Sequence, residues 1–391
     1  MGMDRLRIIV GGFIGLLPTG GLTWDYGQYP LGFAALGHDV YYIEDTRVWP
    51  LFQPAGSDWG DASANVAFLG AAMEGLGLSH RWAYRDEASG QCYGLSEAQV
   101  KELIRTADVL VNVSCATFLR DEYQRIPTRV LIDSDPMFTQ VQYMTPQQFY
   151  TGKPGLNEHT HHFTFGENVG APDCRIPDCG IKWRPTRQPV CLSHWPVIAI
   201  PPASEFTTLM TWTAVPPLQY EGESWGQKDV EFQRCFALPQ SIPEIPLTVA
   251  VTQNGGVGAP FPANEAREYG WHVLDPEVCS PDWQTYRTFI QQSRGEFSIA
   301  KETYVKAHTG WFSGRSACYL AAGRPVVTQD TGWSRYLPTG CGLFSFADAA
   351  DAAEALREVV GDYQRHAVSA REIAEEYFDS RRVLSDLLST L

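Results

Sequence analysis

At 391 residues the chain is about twice the usual domain length, so two domains of roughly 200 residues each are expected. Hydrophobic residues make up 44% of it and charged residues only 19%, which supplies two packed cores and excludes a disordered chain. A net charge of −15 repels phosphate backbones and anionic lipid alike, so neither nucleic-acid binding nor charge-driven membrane attachment is expected.

In chain order, RLRIIV at 5–10 predicts a buried parallel strand, and a glycine-rich loop follows at 11–21. A helix over 26–36 is ended by Gly37, and HDVYYI at 38–43 is the returning strand of a βαβ unit. Helices at 65–76 and 96–106 alternate with strands at 109–113 and 129–132, the pattern of a doubly wound parallel sheet. From 145 to about 202 prolines, histidines and cysteines crowd together, and strands are predicted only at 162–165 and 197–200. A second alternating region begins near Phe206. Its strands fall at 207–212, 247–251, 271–273, 297–300, 325–328 and 342–346. Its helices fall at 229–236, 283–292, 313–322 and 348–360, and a charged amphipathic helix pair ends at Leu391. The expected fold class is α/β, with two facing Rossmann-like domains at 1–200 and 201–375, a closing helix at 376–391 and an interdomain cleft.

Nine cysteines, odd in number and scattered, read as reduced thiols. No run of about 18 apolar residues is present, and the amino terminus enters a strand without a cleavable leader, so no integral membrane contact and a cytoplasmic location are expected.

The most informative segment is KAHTGWFSGRSACYLAAGRPVV at 306–327. A glycine- and serine-rich loop opens directly into a helix, so free amides and the positive dipole end at 313–316 form an anion site. Arg315 adds a fork suited to phosphate, with Lys301, Lys306 and His308 as neighbouring cations.

This segment resembles the donor-binding signature of GT-B glycosyltransferases, and the continuation TQDTGWSRYLPTGCGLFSF is similar to their donor-sugar loop and Gly-x-Gly-Leu strand. The resemblance covers the last hundred residues well and the first forty more loosely. It implies a nucleotide diphosphate sugar as donor co-substrate, no resident cofactor, no metal, and an unidentified acceptor. Carried onto this chain, it places Lys301, His308, Gly310, Ser313, Gly314, Arg315 and Ser316 at the donor diphosphate, with Asp330, Thr331 and Gly332 at the sugar hydroxyls or in a turn. It also brings Gly20, Gly21 and Thr23 to the donor phosphates and Asp25 near the acceptor. One departure stands out: where most relatives hold the ribose with a glutamate, this chain has Cys318, and the acidic position eight residues earlier is Gly310. Ribose recognition therefore falls elsewhere.

Asp133 and Asp135 follow a strand in VLIDSDPMF. Their spacing suits a divalent metal, a base for an acceptor hydroxyl, or a turn, and all three readings stay open. Asp25 and Asp135 are the candidate bases. The group His159, His161, His162, Cys174, Cys179, Cys191 and His194 lacks the spacing of a structural zinc site. Two further function classes remain. A nicotinamide-dependent oxidoreductase would use the first glycine loop, with Glu44 as ribose ligand. A non-catalytic nucleotide-sugar or glycan-binding protein would keep the fold without the chemistry.

Overall fold

The structure is a computed structural model that describes residues 5–52, 54, 56–145, 155–201, 204–253 and 257–391. The first sheet comprises β1 (Arg7–Gly11), β2 (Asp39–Glu44), β3 (Trp82–Arg85), β4 (Cys92–Gly94), β5 (Val109–Val113), β6 (Thr128–Asp133), β7 (His161–Thr164) and β8 (Arg184–Pro185). Its order is β4-β3-β2-β1-β5-β6-β7-β8, and every pairing is parallel except β3 with β4. The helices α1 (Gly20–Ala35), α2 (Ser63–Gly75), α3 (Glu97–Thr106) and α4 (Phe138–Met144) connect these strands. β5 reads VLVNV and is buried throughout, as a strand covered on both faces must be.

The second sheet begins with β9 (Phe206–Thr211), which is followed by an antiparallel hairpin of β10 (Leu218–Tyr220) and β11 (Glu223–Trp225). It continues through β12 (Leu247–Thr252), β13 (His272–Leu274), β14 (Gly295–Ser298), β15 (Val326–Gln329) and β16 (Leu343–Phe346). The order β13-β12-β9-β14-β15-β16 is parallel throughout. Its helices are α5 (Lys228–Arg234), α6 (Leu238–Ser241), α7 (Ala263–Glu268), α8 (Pro276–Cys279), α9 (Trp283–Gln292), α10 (Glu302–Lys306) and α11 (Gly314–Ala321). The chain ends with α12 (Ala349–Gly361), α13 (Tyr363–Tyr377) and α14 (Ser380–Ser389). Strand order reverses between β1 and β5 and again between β9 and β14, and ligands bind at the carboxyl ends of strands at such points.

Two sequence expectations need correcting. The first helix begins at Gly20, not near residue 26, because Thr19 caps it by accepting the Leu22 amide at 3.3 Å. The expected strand at 197–200 is absent, and these residues run between the sheets without a ladder. The Ile198 carbonyl is taken by the Arg324 guanidinium at 2.8 Å, and the carbonyl of Pro196, just before the segment, by Gln291 at 2.8 Å.

The two halves meet through α1. Trp24, Tyr26, Tyr29 and Phe33 on it are buried, and it packs on α9, α11 and α14 of the second half. The turn between α8 and α9 caps its start: the Ser280 carbonyl accepts the Gly20 amide at 3.0 Å, and its hydroxyl accepts the Gly21 amide at 3.2 Å. The Trp24 indole donates to the Trp283 carbonyl at 2.8 Å. The Trp283 ring lies over Gly75, where a Cβ would sit 2.0 Å from a ring carbon. Gly75→Ala is therefore expected to push Trp283 out of its seat, at a cost of about 1–3 kcal/mol. Thermal unfolding reads this, and a shift below about 0.5 kcal/mol would show that the seat is not formed.

All nine cysteines are free thiols. Among the described residues no helix is long and apolar enough to cross a membrane, and no three His, Cys, Asp or Glu side chains are arranged to hold a metal ion.

Candidate active site

The start of α11 sits beside β9 and β14, at the reversal point of the second sheet. Ser313 caps it in extended geometry without a side-chain cap bond, so the first-turn amides keep free donors. The Ser316 hydroxyl, fully buried in that first turn, has no hydrogen-bond partner among the described residues. A buried, unpaired hydroxyl at a helix start is a standing cost unless a ligand supplies the acceptor.

Arg315 does not lie as the sequence suggests. Its guanidinium turns into the sheet, with Nε on Glu296 at 2.5 Å, Nη2 on the Ser298 hydroxyl at 2.6 Å and Nη1 on the Leu209 carbonyl. The fork is thus engaged within the protein and is not presented to a phosphate. The other Glu296 oxygen has no hydrogen-bond partner among the described residues.

The sequence reading missed Lys228. It is the first residue of α5 and only 8% exposed, and its ammonium makes no hydrogen bond or ion pair among the described residues. Burial, then the charges of Arg315 and Lys301, push its ammonium well below the usual lysine range, with Glu296 opposing. The sequence did carry a signal: a lysine in the first turn of a helix opposes the helix dipole.

Asp25 faces this start from the other half. Gly314 has no Cβ, and one added there would stand 3.1 Å from Asp25 Oδ1. The Asp25 backbone carbonyl accepts Gln188 Nε2 at 2.8 Å, which fixes that turn of α1. Burial raises the Asp25 carboxyl to about 6, with Arg315 lowering it and Asp135 raising it.

Asp135 is held across the halves. Its Oδ1 accepts Lys301 Nζ at 2.6 Å and the Tyr304 hydroxyl, while Lys301 also lies over the Phe138 ring at 4.7 Å. Asp135 and Lys301 thus form an interdomain clasp, not a free base and a free cation. Asp133 is buried and accepts Thr139 at 2.6 Å, Thr164 at 2.8 Å and Gln140 at 2.9 Å. Asp133 also accepts the Asp135 amide at 3.0 Å, which closes a local turn after β6.

Other expected contacts are also engaged elsewhere. The Gly20 and Gly21 amides are taken by Ser280, so they do not point at a phosphate. His308 adopts φ 49° and turns its ring to Asp173 at 3.7 Å, away from α11, while its carbonyl accepts Asn168 Nδ2 at 2.9 Å. Gly310, at φ 75°, admits Asn168, whose amide would lie 2.6 Å from a Cβ there. Asp330 closes a turn by accepting the Gly332 amide at 2.7 Å and the Ser334 hydroxyl at 2.6 Å, and Thr331 donates to the Trp311 carbonyl at 2.6 Å. Gly332, at φ 97°, also abuts Asn168. Cys318 lies under α1, where its sulfur accepts Gln28 Nε2 at 3.5 Å.

Glu44 is not a ribose ligand. It is buried, accepts the Gly15 amide at 2.8 Å, the Leu16 amide at 2.5 Å and the Tyr42 hydroxyl at 3.0 Å, and so ties the first glycine loop to β2. The dinucleotide reading loses the acid it requires.

No family model matches the sequence, and no curated protein matches it. Solved structures do match in fold. Anabaena HepE in complex with UDP and glucose aligns over 99% of this chain and 100% of its own, at TM-score 0.55 and 11% identity. Sucrose-phosphate synthase from Thermosynechococcus elongatus aligns over 99% and 98%, at TM-score 0.56 and 11% identity. An alpha-glucosyltransferase in complex with UDP and a mismatched DNA 13-mer aligns over 99% of both chains, at TM-score 0.57 and 12% identity. The chain therefore has the GT-B fold, two facing Rossmann-like domains with a cleft between them.

Proposed function

We propose that the chain is a glycosyltransferase that moves a sugar from a nucleotide diphosphate sugar to an acceptor alcohol without a metal ion. The observation that carries this reading is the pairing of a buried ammonium with an unsatisfied helix start: Lys228 on one side, Ser316 and the first amides of α11 on the other. A diphosphate supplies what both lack, two or more anionic acceptor oxygens. In the reaction the bond from the anomeric carbon to the diphosphate oxygen breaks and its electrons leave with the diphosphate. The acceptor oxygen bonds to the anomeric carbon, and its proton passes to the Asp25 carboxylate. Charge grows on the diphosphate as the bond breaks, so preorganised donors stabilise the transition state more than the ground state. Asp25, held at about 6, is matched to proton transfer near neutral pH. Arg315 acts through Glu296, fixing the strand ends under the site.

Titration with UDP, GDP and dTDP while following the melting temperature tests the donor site. One of them at about a hundred times its Kd is expected to stabilise the fold by ~2.7 kcal/mol. No shift with any of the three would remove the reading. Release of free sugar from a matching donor, or its transfer to an alcohol, separates an enzyme from a binding protein.

A further inference from the structure

Leu17, Trp49, Leu51, Phe52 and Trp59 are all exposed, Leu51 by 60% and Trp59 by 79%, and they belong to the two loops that leave β1 and β2. Several large apolar side chains exposed along one edge of a sheet mark a candidate binding face. Both loops leave the carboxyl edge of the first sheet, the edge from which α1 presents Asp25.

Both loops are anchored at their roots. Glu44 fixes the first loop through the Gly15 and Leu16 amides, immediately before Leu17. The second loop is rooted by Asp45, which is fully buried and pairs with Arg85 at 2.9 Å and Arg120 at 2.9 Å. Gly60, at φ 85°, turns the chain so that Trp59 returns beside Trp49, with ring centroids 6.5 Å apart. The Trp49 ring lies over Gly60, and a side chain there would meet it at 3.2 Å. The Ala88 methyl borders Gly60 as well, 3.4 Å from where a Cβ would stand, so the turn after β3 lies against this part of the loop.

Charge selects the occupant. The one cation among the described residues of the β2–α2 loop, Arg47, is stacked on Phe118 at 4.5 Å and lies 4.0 Å from Glu87. Asp58 and Asp61 flank Trp59, and the chain carries a net charge of −15. Anionic headgroups and phosphate-bearing ligands are therefore disfavoured on this shelf. A neutral apolar ligand meets no such penalty and gains from leaving water.

We propose that this shelf binds the neutral, apolar body of the acceptor and thereby brings the acceptor hydroxyl toward Asp25. The assignment rests on the transfer reading above for the word acceptor, but the binding of an apolar alcohol is a separate measurement. Equilibrium dialysis of 2-naphthol, a neutral aromatic alcohol, is carried out with the full chain and with the double variant Trp49→Ala/Trp59→Ala. A second variant, Leu51→Ser, alters the shelf without removing an aromatic ring. Binding to the native chain, weakened about tenfold or more in the double variant and several-fold in Leu51→Ser, with melting temperatures and the UDP-induced shift unchanged, is the expected result. Equal binding to all three chains, or none to the native chain, overturns the proposal. Sedimentation with phosphatidylcholine vesicles, or concentration-dependent dimerisation, that the double variant abolishes also overturns it, in favour of a lipid surface or a second copy. If UDP, GDP and dTDP give no shift while naphthol still binds, the donor reading fails and the shelf stands as a site for apolar alcohols.

Discussion

Lys228→Met is expected to lower kcat/KM by about a hundred- to a thousand-fold while making the unliganded protein more stable. The two signs have one cause. Lys228 is an almost fully buried ammonium whose near neighbours include Arg315 and Lys301, and its pKa is held well below the ordinary 10.5. The unfolded chain therefore binds this proton more readily than the folded one. Native stability falls as pH drops from about 10 toward the folded value, and the methionine variant lacks that slope. Removing an uncompensated buried charge is expected to add on the order of 1–3 kcal/mol at neutral pH. A diphosphate neutralises the same charge, so the UDP-induced rise in melting temperature should shrink in the variant. Unchanged turnover with an unchanged nucleotide shift would mean that Lys228 does not meet the donor.

Asp25→Asn gives the second large effect, again with opposite signs for activity and stability. The Asp25 carboxyl is raised from 3.8 to about 6, chiefly by burial. As pH rises from 3.8 to 6, the unfolded chain gives up this proton before the folded one. The native protein therefore loses stability across that window, up to ~3 kcal/mol, and keeps the deficit above it. The neutral amide carries no such penalty, so the variant should be more stable than the native chain above pH 6 and similar below pH 4. Turnover should fall about a hundred- to ten-thousand-fold, and the acid limb of the native rate profile near pH 6 should disappear. Nucleotide affinity should be retained, because the asparagine touches neither Lys228 nor the Ser316 hydroxyl. An active variant, or a native profile flat between pH 5 and 7, would place the base elsewhere.

The sequence showed much of the fold because its strands are short runs buried on both faces, as in RIIVG and VLVNV, and such runs leave little choice of state. It was silent where short elements depend on partners far along the chain. The β10–β11 hairpin reads as loop in sequence, yet Trp225 is fully buried against Met137 and Phe138 of the first half. The strand expected at 197–200 failed for the opposite reason, since Val197 and Ile198 are apolar but exposed. In the site, residue type alone misled at Arg315 and His308. Both are cations near a helix start, and both turn to acidic partners, Glu296 and Asp173. Lys228 was legible only as an awkward charge at a helix start, and its burial beside Arg315 and Lys301 could not be read from its neighbours in sequence.

What the sequence determined alone is the alternation of strand and helix and the glycine-led start of α11, because each is a local matter of pattern or residue type. What only the tertiary structure decided is which polar groups are satisfied. The Gly20 and Gly21 amides, Asp135 and Glu44 all looked available for ligands and are all bonded within the protein, whereas the Ser316 hydroxyl has no partner among the described residues and Lys228 is buried beside other cations. Hydrogen-bond satisfaction depends on contacts between residues tens to hundreds of positions apart, and burial sets its energetic weight, so neither is encoded at a single place along the chain.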